Sequence, residues 1–253
     1  MSTREGQERR FACTACGRCC TGLLPLTLTE ALARVDRFPL ALVWTLLRRG
    51  ARSYDRFTRL GLEVELGRRR AAVLVSPMAY LPPRLPCPDL EGQGRCQVHD
   101  AKPLRCRAMP FNPLNAPEDQ RANLIPRSGW ACDTSEQAPV VYQAHGPVDA
   151  RDMQAEWEAL EAQAPVLQAY ARRRLALAPA LRDELARLEA SGPGGRVAQP
   201  FTGIVSRLEG VDIEAVATAQ AAVFARYAAM TTPKGEEAPF HRFYQKARGP
   251  ESA

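Results

Sequence analysis

The stretch FACTACGRCC, residues 11–20, places Cys13, Cys16, Cys19 and Cys20 within eight positions. Thiols at this density are cross-linked, redox active or bound to an ion, and the compartment decides among these. The opening MSTREGQERRFACT has no apolar core behind its arginines, which argues against a signal peptide. No apolar run approaches the length needed to span a bilayer. These features predict a cytoplasmic protein that does not enter a membrane. Cytosolic thiols stay reduced, so a disulfide framework is disfavoured and metal binding or redox chemistry is favoured. All eight cysteines precede residue 133, the other four being Cys87, Cys96, Cys106 and Cys132.

Thiolates are preferred ligands of zinc, copper(I) and iron–sulfur clusters. Cys13/Cys16 and Cys16/Cys19 each have the C-x-x-C spacing that turns two sulfurs toward one ion. Four cysteines suit a structural zinc tetrahedron. The ladder C-x-x-C-x-x-C plus a distant Cys-Pro, here Cys87-Pro88, suits a [4Fe-4S] cluster equally well. Zinc and iron therefore both remain open. Neighbouring residues send their side chains in different directions, so vicinal Cys19 and Cys20 are expected to face two sites, or two ends of one polynuclear site. Eight thiols divide into two sets of four. The bland alternative for Cys20 is a small buried hydrophobe.

Residues 1–132 hold 21 Lys+Arg against 12 Asp+Glu, and residues 133–253 hold 13 against 16. A basic half can bind nucleic acid, but charge alone is weak support. Two dianionic tetrathiolate sites would account for about four of the positive charges. Arg105 and Arg107 flank Cys106 and are candidate cofactor-binding residues, donating hydrogen bonds to metal-bound sulfur; the bland alternative is a solvated basic face. His99 follows Cys96 at a spacing that can chelate.

The predicted architecture is α+β: a cysteine-rich, loop-heavy metal-binding domain with a small β-hairpin over 1–147, and a helical C-terminal region with a flexible tail over 148–253. Thr29 before EALARV predicts a helix start, and LALVWTLLRRG at 40–50 is expected to continue helically to Gly50. LEVEL at 62–66 alternates and pairs through a turn with AAVLV at 71–75. Prolines at 77, 82, 83, 86 and 88 argue against regular structure there, a segment whose two cysteines could clamp it. Beyond 148, helices are expected over DARDMQAEWEALEAQ, from Pro165, from Pro179 to Glu189 and over 212–230. The stripe of the last, Ile213, Val216, Val223, Phe224 and Tyr227, reads as core. His145 and His241 read as structural or surface residues. No dinucleotide, Walker, H-E-x-x-H or nucleophile-elbow motif occurs, so the sequence leaves open whether the protein is an enzyme and names no protein partner.

The second cysteine block, CPDLEGQGRCQVHDAKPLRCRAMPF at 87–111, resembles the YkgJ-type cysteine-cluster family, a zinc- or iron-chelating domain. That family's C-x-x-C-x-x-C-C is matched by CTACGRCC. Its downstream pattern is matched in order by CPDL, GRC, His99, Lys102-Pro103, Cys106-Arg107 and Met109-Pro110. Cys132 is similar in placement to the family's last cysteine. The resemblance covers roughly residues 11–135 and implies metal ions, zinc or iron, as partners of the thiols. It departs at His99, where the family often has Tyr, which favours a packing or hydrogen-bonding role. Larger proteins with a similar cluster include flagellin lysine methylases, which implies an iron–sulfur-dependent transferase or oxidoreductase as an alternative; a zinc-stabilised nucleic-acid binder is a third.

Overall fold

The apolar run at 40–48, expected to be helical, is instead the inner strand of a sheet. The computed structural model describes residues 8–92, 94–192 and 194–248. Its elements begin with β1 (Arg9–Arg10), β2 (Leu24–Pro25), α1 (Leu28–Leu32), β3 (Leu40–Arg48) and α2 (Tyr54–Leu60). The hairpin strands β4 (Leu62–Leu66) and β5 (Arg69–Ala79) come next, then α3 (Leu104–Arg107), β6 (Val140–Gln143) and β7 (Gly146–Pro147). The remainder is α4 (Arg151–Leu177), α5 (Pro179–Ser191), β8 (Gly194–Pro200), α6 (Thr202–Val205), α7 (Ile213–Met230) and α8 (Ala238–Ala247). Short 3-10 turns occupy His99–Ala101, Pro117–Leu124 and Gly235–Glu237. The class is α+β.

Two contact-dense units divide the chain, Met1–Thr21 with Pro86–Ala159, and Gly22–Leu85 with Leu160–Ala253. The division falls inside α4. All eight cysteines lie in the first unit, and the hairpin lies in the second.

The second unit is built on an antiparallel sheet of order β2-β5-β3-β8, with β4 also paired to β5. β3 lies between β5 and β8 and is apolar on both faces, so it shows no two-residue alternation. Leu40, Leu42 and Trp44 are fully buried on one face, where Trp44 meets Tyr170 of α4 at 6.2 Å between ring centroids. Ala41 and Val43 on the other face pack with Met78 and Phe243 of α8. β5 runs through Pro77, against expectation. The Pro77 carbonyl accepts the Leu26 N–H at 3.0 Å, on the side of β5 away from β3. In a strand a residue's N and O point the same way, so the missing N–H removes no bond to β3.

Helix starts follow capping chemistry. Thr27, not Thr29, caps α1: its hydroxyl accepts the Glu30 N–H at 3.1 Å, and the Glu30 carboxylate accepts the Thr27 N–H at 2.8 Å. α4 passes straight through Pro165 instead of restarting there. In α7, Val216, Val223, Phe224 and Tyr227 are buried as the stripe predicts, whereas Ile213 at its start is exposed. The segment expected to be a frayed tail holds α8, anchored by fully buried Tyr244, whose hydroxyl donates to the Tyr80 carbonyl at 2.5 Å.

The first unit has little regular structure: a small sheet of order β1-β6-β7 and a core of Phe11, Phe111, Leu124 and Tyr142. Cys132 and Met153 pack against that core. Fully buried Gln120 knits the loop over it, accepting the Asn112 N–H at 2.8 Å and donating to the Asn112 carbonyl at 2.7 Å. The proline-rich loop 110–126 is thus tied down by a side-chain amide.

Candidate metal centre

The N-terminal ladder is an irregular loop bent by left-handed backbone at Ala15 (φ 54°) and Gly17 (φ 68°). The bend turns amides onto sulfur. The Ala15 N–H donates to Cys13 Sγ at 3.4 Å, and Cys16 is held below the usual thiol range by backbone N–H bonds from Arg18 and Ala131. Ala131 is there because the ladder pairs with the segment around Cys132: the Ala12 N–H donates to the Asp133 carbonyl at 2.8 Å and the reverse bond is 3.0 Å. Thr14 Oγ1 adds a bond to the Ala131 carbonyl at 2.8 Å.

The downstream block joins the other end of the ladder. The Cys87 N–H donates to the Cys20 carbonyl at 2.8 Å, and Thr21 and Pro86 form an isolated bridge beside it. Within the block, Leu90 pairs with Cys96 and the Gln97 N–H donates to the Asp89 carbonyl at 2.8 Å. Cys106 rides on the short helix α3, its N–H bonded to the Pro103 carbonyl at 2.8 Å. Cys13 is exposed and the other seven thiols are half-buried.

The thiols act on one another in two overlapping groups. The Cys132 thiol is pushed up by burial and then by negative charge on Cys19, Cys16 and Cys13. The Cys106 thiol is pushed up to about 12 by burial and then by Cys87 and Cys96, with a smaller push from Cys19. Cys19 and Cys20 meet between them through a side-chain hydrogen bond. Accepting it holds Cys19 low, whereas donating it, with burial and the charges of Cys19, Cys106 and Cys87, raises Cys20. Cys132 therefore lies near Cys13, Cys16 and Cys19, Cys106 lies near Cys87 and Cys96, and Cys19 acts on both groups. Among the described residues, no three His, Cys, Asp or Glu side chains converge closely enough to form a ready-made cage.

The flanking cations have protein partners. Arg105 donates to the Phe111 carbonyl and lies 3.2 Å from the Glu156 carboxylate in an ion pair whose side chains are 13% and 6% exposed. Its Nε is buried with no hydrogen-bond acceptor among the described residues, and its charge favours the Cys106 thiolate. Arg107 pairs with Asp152 at 2.5 Å in a half-exposed bridge. Lys102 draws the Cys19 thiol down. His99 is largely exposed, with Nδ1 3.6 Å from the Asp100 carboxylate. His241 Nδ1 lies 3.2 Å from Thr231 Oγ1. Sequence reasoning missed Ala131, Glu156 and Asp152, because a backbone amide and two helical carboxylates carry no ligand pattern.

The donor chemistry fits a soft or borderline metal. All candidate ligands are thiols, backbone N–H bonds help hold Cys16 and Cys19 toward thiolate, and Lys102 and Arg105 stand nearby. Residues 12–133 match the family model CxxCxxCC, putative zinc- or iron-chelating domain. Comparison with curated proteins and with solved structures gives no match.

Proposed function

We propose that this chain, whose residues 12–133 match the model of a zinc- or iron-chelating domain, is a metal-binding protein of the reducing cytoplasm. In this reading its eight thiolates serve two centres: Cys13, Cys16, Cys19 and Cys132 ligate the first, and Cys20, Cys87, Cys96 and Cys106 the second. The observations that support the division are the nearness of Cys132 to Cys13, Cys16 and Cys19, the nearness of Cys106 to Cys87 and Cys96, and the Cys19–Cys20 contact that links the two groups. Zinc or iron supplies tetrahedral thiolate coordination or a cluster when bound; the protein supplies the thiolates, the amide donors and the compensating charge. Arg105, with its buried Nε and its pull on Cys106, is the residue we assign to the outer shell of the second centre. Arg107 would add positive charge at the same place.

The test is metal per chain and optical spectrum after anaerobic purification, in the wild type and in Cys19→Ser, Cys20→Ser, Cys132→Ser and Cys106→Ser. Cys132→Ser and Cys19→Ser should deplete the same centre, and Cys106→Ser and Cys20→Ser the other. Iron with acid-labile sulfide identifies a cluster; zinc in a colourless protein identifies tetrahedral sites. Full metal content in Cys20→Ser would remove that thiol from the ligand set, and absence of both metals from the wild type would end the reading.

A further inference from the structure

The two cysteine blocks are separated by about 66 residues, between Cys20 and Cys87, and meet at a pair of glycines. Gly17 has φ +68°, and a Cβ there would stand 2.5 Å from the Gly94 carbonyl oxygen. Gly94 has φ +80°, and a Cβ there would stand 3.2 Å from the Cys16 carbonyl oxygen. The ladder and the downstream loop thus touch backbone to backbone, where only glycine supplies both the left-handed angle and the missing side chain. The contact lies next to Cys16 and two residues from both Cys19 and Cys96. Each partner is held by its own turn: the Gly17 carbonyl accepts the Cys20 N–H at 3.0 Å, and the Gly94 N–H donates to the Glu91 carbonyl at 2.8 Å. The Cys87–Cys20 backbone bond and the Thr21–Pro86 bridge extend the same seam. No sulfur takes part in any of these contacts.

We infer that Gly17 and Gly94 are positioning residues of the metal centre: their contact docks the downstream block onto the ladder in the metal-free chain. An incoming ion then meets two blocks already in register and draws in only the thiols. This rests on the proposed thiolate centre for its purpose, while the docking itself is a property of the backbone.

The experiment uses the full chain, reduced and stripped by chelator, with two readouts. Amide exchange reports the Cys87 N–H without metal. Titration with cobalt(II) reports thiolate ligation through its charge-transfer absorption. In the wild type the Cys87 amide is expected to be protected before any metal is added. Gly17→Ala should remove that protection and weaken cobalt binding about ten- to hundredfold, the usual effect of losing a group that orients ligands. Gly67→Ala is the control, because Gly67 has a comparable φ of +64° with nothing within 4 Å of its would-be Cβ; it should change neither readout. If Gly17→Ala does not fold, Gly94→Ala carries the same test through its milder 3.2 Å contact. Cys87 protection that appears only with cobalt would overturn the inference. So would cobalt binding in the glycine variants equal to the wild type, or an equal loss in Gly67→Ala. A wild type that takes up no cobalt would count against the metal reading alone, and the exchange comparison would still decide the docking.

Discussion

Replacing Glu156 with Gln should expose the cost of burying Arg105 beside the second thiol set. Burial alone pulls the Arg105 guanidinium down from its ordinary range, and Glu156 is the largest opposing influence. Breaking a buried ion pair on one side typically costs about 3–5 kcal/mol, because a buried charge is left without its partner. Arg105 would keep its bond to the Phe111 carbonyl and the nearby Asn112 Oδ1, so the lower end, about 3 kcal/mol, is expected. At about 1.4 kcal/mol per factor of ten, α3 should open roughly a hundredfold more often. Cys106 reports this opening directly. Its alkylation rate in the reduced, metal-free chain, read peptide by peptide by mass spectrometry, should rise about a hundredfold, with exposed Cys13 as the unchanged reference. The paired replacement Arg105→Met/Glu156→Leu should recover most of the protection, since an apolar pair of similar size avoids the desolvation cost. An unaltered Cys106 rate in Glu156→Gln would refute the reasoning, as would a double variant that reacts faster than the single one.

The Cys106 thiol also predicts a pH dependence. Its ordinary value is 9.0 and the fold pushes it up to about 12, so the unfolded chain ionises first. The stabilisation from this group is complete below pH 9.0 and is lost as pH rises from 9.0 toward about 12. Denaturation midpoints of the metal-free chain at about pH 8 and about pH 10.5 should therefore fall in that order, and equal midpoints would contradict the shift. The same raised value makes an ion compete with a proton, so cobalt(II) should bind the second thiol set more tightly at higher pH, measurable as protons released in a weakly buffered titration. In the second unit, Gln220 is 1% exposed, accepts the Leu40 N–H at 2.9 Å and donates to the Phe38 carbonyl at 2.9 Å. Gln220→Leu would orphan these backbone groups and should cost about 3 kcal/mol in denaturation followed by circular dichroism; a loss under about 1 kcal/mol would show that the site relaxes around them.

The family match was legible because its pattern is written in residue type and spacing, and so was the hairpin at 62–79, whose LEVEL segment alternates with a half-buried surface. β3 was not legible. A strand covered on both faces shows the continuous apolar run of a buried helix, and LALVWTLL lacks the breaks that would separate the two. Pro165 misled for a related reason: its fixed φ suits both a first turn and a passage through a long helix, and only packing around Leu167 and Tyr170 decides. The region after 230 reads as polar and basic, but its aromatic residues recur at helical spacing and Tyr244 finds a sealed site. Gly17 and Gly94 look like ordinary turn residues. Their close approach belongs to a pair distant in sequence, which a single sequence does not display.

The seam between Cys20 and Cys87 sets an order of events during synthesis. The ladder is made first and waits for about 66 further residues before its partner block exists. At about 5–20 residues per second, four thiols remain unmatched for roughly 3–13 s on a growing chain. Closing a flexible loop of that length by itself costs about 4 kcal/mol of chain entropy in the simplest estimate. Pairing of Leu24 with Ala79 and of Pro25 with Met78 removes most of it, because only a few residues then lie between that rung and the Thr21–Pro86 bridge. Pairing of β2 with β5 thereby lowers the chain entropy that closing the seam must overcome, and a mutation that slows this pairing is expected to prolong the interval in which the ladder lacks its partner block.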